Sequence, residues 1–190
     1  MLKITERSPT TFISKVVERL VCHQLVAFLD ANGLLPKLQS AYRKHHSTET
    51  SVMKVISDAL LAANRGEMTL LFLLALSAAF DMVDHEILID RLQTAFCILG
   101  TVLSWILLFL NDRTQTVIFA GSRSNTSNIK YDVPQGSVLG PVLLLLYTAE
   151  VIAIAHRHRV CAHSYVDDTQ LHIHREAEHL ESSKRLSNMY

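Results

Sequence analysis

"LLALSAAFDMVDH", residues 73 to 85, runs from strand character into the start of a helix. With the residues before it, "MTLLFLLAL" (68–76) is a continuous apolar run of strand length, and such a run reads as a central strand covered on both faces. Asp84 then stands where a helix N-cap is wanted, ahead of "HEILIDRLQTAF". The junction between such a strand and a helix is a usual place for a reactive carboxylate, and at its centre stands Ala75.

Upstream, apolar residues recur at Ile13, Val17, Leu20, Val21 and Phe28, with Lys15, Glu18 and Arg19 on the other side, so residues 13–29 form an amphipathic helix. Gly33 is its candidate C-terminal cap. "QSAYRKHHSTET" (39–50) is a polar connection whose end caps a second helix, about 49–63, closed by Gly66. Downstream, "TVLSWILLFLND" (101–112) reads as a helix with Thr101 as N-cap, and "TQTVIFAGSRSNTSNIKYDV" (114–133) as a hairpin around a Gly, Ser and Asn turn. "PQGSVLGP" (134–141) breaks the chain before a long apolar helix to about Ala155. "VCAHSYV" (160–166) and "TQLHIH" (169–174) alternate as two strands, with Asp167 and Asp168 at the bend, and the polar C-terminal residues read as the start of a helix. With no internal repeat, the pattern is that of one α/β (α+β) domain.

At 190 residues, 49% hydrophobic and 19% charged, the chain has the balance of a folded domain. Lys and Arg number 18, as do Asp and Glu, so no global basic field supplies affinity for a polyanion. Cys22, Cys97 and Cys161 lack a CxxC or zinc-like spacing and read as reduced thiols filling the core of an intracellular protein. "MLKITERSPTTF" has no apolar signal-peptide core, and the longest apolar stretches fall short of the roughly 20 residues that cross a bilayer, so no membrane partner is expected. His156, His158, His163, His172 and His174 cluster in sequence, but without a helical i, i+4 ligand pair they are expected to face solvent.

The paired carboxylates of "YVDDTQ" are either a solvated turn or a platform for a divalent cation. A carboxylate from the end of "MTLLFLLAL" would strengthen the second reading, since two ions about 4 Å apart serve in-line phosphoryl transfer.

Taken in order, "LLALSAAFDMVDH", "VPQGSVLGP" (133–141) and "YVDDTQL" (165–171) resemble motifs A, B and C of the reverse transcriptases of non-LTR (LINE-type) retrotransposons, nearest to the jockey and chicken-repeat-like groups. "LQSAYRKHHSTETSVMKV" (38–55) resembles the fingers motif that precedes them. The resemblance implies a right-hand polymerase: fingers over about 12–66, palm over 67–175, a truncated tail at 176–190, and no thumb. It also implies catalytic and Mg²⁺-binding roles for Asp167 and Asp168, with a two-ion site, and nucleotide-binding roles for Arg43, Ala78, Ala79, Phe80, Gln135 and Gly136. Within that set, Arg43 would grip the triphosphate, Phe80 would lie under the sugar, and Gln135 and Gly136 would meet the incoming nucleotide and template. RNA template, DNA primer and dNTP are the implied partners.

In that pattern the residue five before Phe80 is the aspartate that bridges both ions, and here it is Ala75. Asp81 and Asp84 follow, but six residues of extended chain span about 20 Å, so neither substitutes without rearrangement. The apolar "LLLLYTAEVIAIAHRHR" (143–159) after motif B and the absence of a lysine-bearing motif D after "LHIHREAEHL" (171–180) are further departures. They describe a decayed or repurposed copy, impaired as an enzyme. The alternatives are a non-catalytic nucleic-acid-binding or assembly module on a polymerase palm, a working polymerase that tolerates Ala75, and an ordinary α/β domain.

Overall fold

A computed structural model of the chain describes residues 2–7, 12–35, 38–41, 46–76, 78–111, 113–134, 136–165 and 168–176. In chain order these form β1 (Leu2–Arg7), α1 (Phe12–Ala31), α2 (Thr48–Asn64), β2 (Glu67–Ala75), a 3-10 turn at Ala79–Met82, α3 (His85–Thr94), α4 (Gly100–Leu110), β3 (Thr114–Phe119), β4 (Ser122–Arg123), β5 (Ser127–Asn128), α5 (Gly140–Arg157), β6 (Cys161–Tyr165) and β7 (Asp168–Glu176). Two compact units result, each from separated segments: residues 1–35 with 77–147, and residues 36–76 with 148–190.

In the first unit, β3 pairs antiparallel with β1, β4 and β5. β1 has no counterpart in the sequence reading, because its partner lies more than a hundred residues away and six residues of mixed polarity carry no period of their own. Asp84 caps α3 as expected, its Oδ1 accepting from Glu86 N at 2.9 Å and Ile87 N at 3.1 Å. Thr101 is not the cap of α4: the helix begins one residue earlier, and Leu99 at the cap position makes no side-chain hydrogen bond. The core collects Leu88 and Leu92 of α3, Ile106 and Leu110 of α4, and Leu143 to Leu146 of α5, all at most 1% exposed. By length and composition α5 could cross a membrane, as an 18-residue helix. Here its first half fills a protein core.

The second unit is built on a sheet in the order β2-β7-β6, with α2 packed against β2 and β6. A capping box starts α2, Thr50 N donating to Ser47 Oγ and Ser47 N to Thr50 Oγ1. β2 is not the covered central strand expected of its apolar run. Among the described residues it pairs only with β7, and Leu70, Leu71, Phe72, Leu73 and Leu74 are 45–71% exposed. An apolar run records a preference for burial without specifying which side of the sheet is filled.

Candidate active site

The register of β2 on β7 runs without interruption from Glu67 opposite Glu176 to Ala75 opposite Asp168. β6 meets β7 from the other side, ending with Tyr165 opposite Asp168. Asp168 is therefore the first residue of β7, exposed, with Ala75 across one ladder and Tyr165 across the other. A carboxylate at position 75 would stand directly beside the hairpin tip; the methyl there brings no oxygen. Asp167 lies outside the described residues, as do Arg43 and Gln135.

Within the first unit the segment from Ala78 is not extended: Ala78 adopts a left-handed conformation at φ 54° and the 3-10 turn follows. Ala78, Ala79, Phe80, Asp81 and Gly136 belong to the first unit, whereas Ala75 and Asp168 belong to the second. Within the first unit the turn of motif A and the loop of motif B are tied together, Val133 N donating to the carbonyl of Phe80 at 2.9 Å and Asp132 N to that of Val83 at 3.0 Å. Ala79 is buried and Phe80 half-buried.

The loop of motif B is held by side chains that no motif marks. Glu18, on the supposed solvent side of α1, is 5% exposed, and its Oε2 accepts from Val138 N at 2.8 Å. Lys15 Nζ, 3.4 Å from Glu18 Oε1, donates to the carbonyl of Gly136 at 3.1 Å. Gly136 itself sits at φ 73°, a region that favours glycine. A Cβ on Gly140 would strike Ser137 Oγ, which already accepts from Gly140 N at 2.9 Å, and would stand 3.1 Å from Val133 Cγ1. Glu18→Ala should strand the Val138 amide and lower stability by about 1–3 kcal/mol. A urea unfolding midpoint unchanged from that of the parent would contradict this role.

Ahead of the loop, Asp132 is anchored by Arg113, 1% exposed at the side chain, through a 2.9 Å ion pair. His85 Nε2 lies 2.7 Å from the carbonyl of Asp132. These contacts hold Asp132 at φ 111°, a conformation that L-residues rarely adopt.

The histidines and cysteines correct two expectations. His163 and His172 do not face solvent: they are 7% and 3% exposed, and desolvation by burial lowers the pKa of both below the ordinary imidazole value. Ser40 Oγ lies 2.9 Å from His163 Nε2. All three cysteines are free, but Cys97 and Cys161 are exposed and do not fill the core; burial of the half-buried Cys22 pushes its thiol up.

A family model described as reverse transcriptase (RNA-dependent DNA polymerase) matches residues 6–189. The chain is 30% identical over 162 residues to the RNA-directed DNA polymerase from mobile element jockey of Drosophila melanogaster, covering 83% of this chain and 18% of the relative. It is 31% identical over 154 residues to the probable RNA-directed DNA polymerase from transposon X-element of the same organism, covering 77% and 17%. The chain thus spans less than a fifth of these relatives. Among solved structures it is similar to telomerase from Candida albicans in complex with a TWJ fragment of telomeric RNA, with a TM-score of 0.56 at 14% identity, covering 89% of this chain and 31% of that one. Apo telomerase from Candida tropicalis gives a TM-score of 0.60 at 14% identity, with 88% and 36% covered. At such identity these two speak for the polymerase fold alone.

Proposed function

Because the chain belongs to the reverse transcriptase family, as a domain of the non-LTR retrotransposon type, we propose that it is part of an RNA-directed DNA polymerase whose nucleotidyl transfer is impaired at Ala75. The observation that carries this reading is the pairing of Ala75 with Asp168 at the end of the sheet. The family uses divalent ions, and in this proposal Mg²⁺ is held by Asp167 and Asp168. Bound there, the ion would supply charge stabilisation to the transferred phosphoryl group. A pair of ions bridged from the end of β2 does not fit this donor set, since position 75 carries a methyl group. In the same proposal Arg43, Ala78, Ala79, Phe80, Gln135 and Gly136 would each take the nucleotide-binding role of the family position they match, with an RNA template and a DNA primer as partners in an intracellular setting.

The same methyl group favours a second reading, a palm that binds nucleic acid without copying it. Charge distinguishes the two. With a net charge of +0, few phosphates can be neutralised. The logarithm of affinity for a primer–template duplex should therefore fall with the logarithm of salt by only a few multiples of about 0.9. Fluorescence anisotropy from low to physiological salt measures this slope, and primer extension on the same duplex with Mg²⁺ or Mn²⁺ measures synthesis. Weak, shallow-sloped binding with little extension is the expected pair of results. Tight binding at physiological salt without extension would replace this reading by the binding module, and extension at the rate of the jockey enzyme would remove the impairment.

A further inference from the structure

From the cross-strand geometry of the second unit, we propose that Cys161, His172 and His174 form a binding site for a zinc-class divalent cation, separate from the carboxylates at the hairpin tip. Cys161 lies directly opposite His172 in the β6–β7 register, so both side chains share one face of the sheet. His174, two residues along β7, returns to that face. One ligand atom from each residue falls within 4.8 Å of the other two. Tetrahedral zinc, with bonds of about 2.3 Å to sulfur and 2.0–2.1 Å to nitrogen, would hold these atoms about 3.3–3.6 Å apart. Side-chain rotations of about an ångström close that gap, with the backbone already in place.

His172 gives an independent indication. Its side chain is buried, at 3% exposure, and among the described residues its Nδ1 has no hydrogen-bond partner, while its Nε2 has only the Asp58 carboxylate at 3.5 Å, longer than a normal hydrogen bond. Buried polar atoms in native proteins are rarely left this way, and an ion is one of the recognised explanations. The surroundings resemble an outer shell. Asp58 Oδ2 of α2 lies 3.5 Å from His172 Nε2, and Thr69 Oγ1 of β2 lies 3.0 Å from His174 Nδ1. Such partners fix the ring of a metal-bound histidine through its second nitrogen.

The donor chemistry selects the ion. A thiolate and two imidazoles suit Zn²⁺ and related d-block ions, whereas Mg²⁺ takes oxygen ligands. Three protein ligands leave a fourth tetrahedral position, and exposed Cys161 opens it to water. His172 lies four positions from Asp168, about 13 Å along β7, so an ion here does not share ligands with one at the tip.

The test titrates the full chain, stripped with EDTA, with Zn²⁺ by calorimetry, and with Co²⁺ by absorption spectroscopy. One equivalent of Zn²⁺ should bind, the Co²⁺ form should show a thiolate-to-metal charge-transfer band, and Mg²⁺ should compete poorly. Cys161→Ser and His174→Gln should each weaken Zn²⁺ binding by about tenfold or more. His156→Gln with His158→Gln, exposed residues at and just beyond the end of α5, should leave it unchanged. In the unaltered chain Zn²⁺ should protect Cys161, and not exposed Cys97, from iodoacetamide, a readout that needs no variant to fold. Absence of binding, affinity unchanged in Cys161→Ser and His174→Gln, or loss of binding in the α5 variant would each overturn the proposal.

Discussion

Ala75→Asp should raise primer extension by about 10²–10³-fold over the Ala75 parent. The comparison is made in a chimaera, with this chain replacing the matching segment of the jockey polymerase, so that both variants share the rest of that enzyme. The magnitude follows from charge. A single preorganised group that stabilises transition-state charge is worth about two to three orders of magnitude in rate, and a carboxylate that bridges two ions is worth no less. The register makes the new side chain effective: at position 75 it would emerge directly opposite Asp168, with no movement of the strand required. Ala75→Asn is the control, close to Asp in shape but without the charge, and it should leave extension at the parent's level. A parent that already extends as well as Ala75→Asp would exclude position 75 as the lesion.

Arg113→Ala should lower stability by about 3–5 kcal/mol, a large share of the roughly 5–15 kcal/mol that holds a typical domain. The reason is asymmetry. Removing Arg113 takes its guanidinium from Asp132, 11% exposed at its side chain, and with it one of the contacts that hold Asp132 at φ 111°. Since Asp132 precedes Val133, whose amide donates to Phe80, the damage should extend to the loop of motif B. Calorimetric melting of the parent and of Arg113→Ala checks the first claim. Arg113→Ala with Asp132→Asn, which removes the carboxylate charge as well, should recover part of the loss; equal melting temperatures for the parent and Arg113→Ala would refute it.

The helices and the motif order were legible because each rests on a short-range pattern. The recurrence in α1, the Asp84 cap and the alternation of β6 and β7 all act within a few residues. What escaped depends on pairing across long separations. Glu18 reads as surface charge until Val138, 120 residues away, supplies the amide it accepts from. Arg113 and Asp132 likewise carry no local mark of burial. For the histidines a usable signal was present: residues 172 and 174 are two apart on a strand, and a period of two places them on one face, where only helical spacing was considered. At the site itself, the position of Ala75 beside Asp168 was foreseeable from the motif order, whereas the turn that follows Ala75 was not, because the next residues contain no glycine or proline to announce it.

The exposed side of β2 bears on how the protein behaves in concentrated solution. Glu67–Ala75 is nine residues long, contains neither proline nor glycine, and has Glu67 as its sole charge. Among the described residues its second edge has no strand partner, and a segment of that composition on such an edge is a template for strand addition between molecules. Fibrillar or amorphous self-association, seeded at Leu70–Leu74, is therefore the hazard to be controlled during purification. A lysine at Leu73, 71% exposed, acts as a gatekeeper at little cost to the interior.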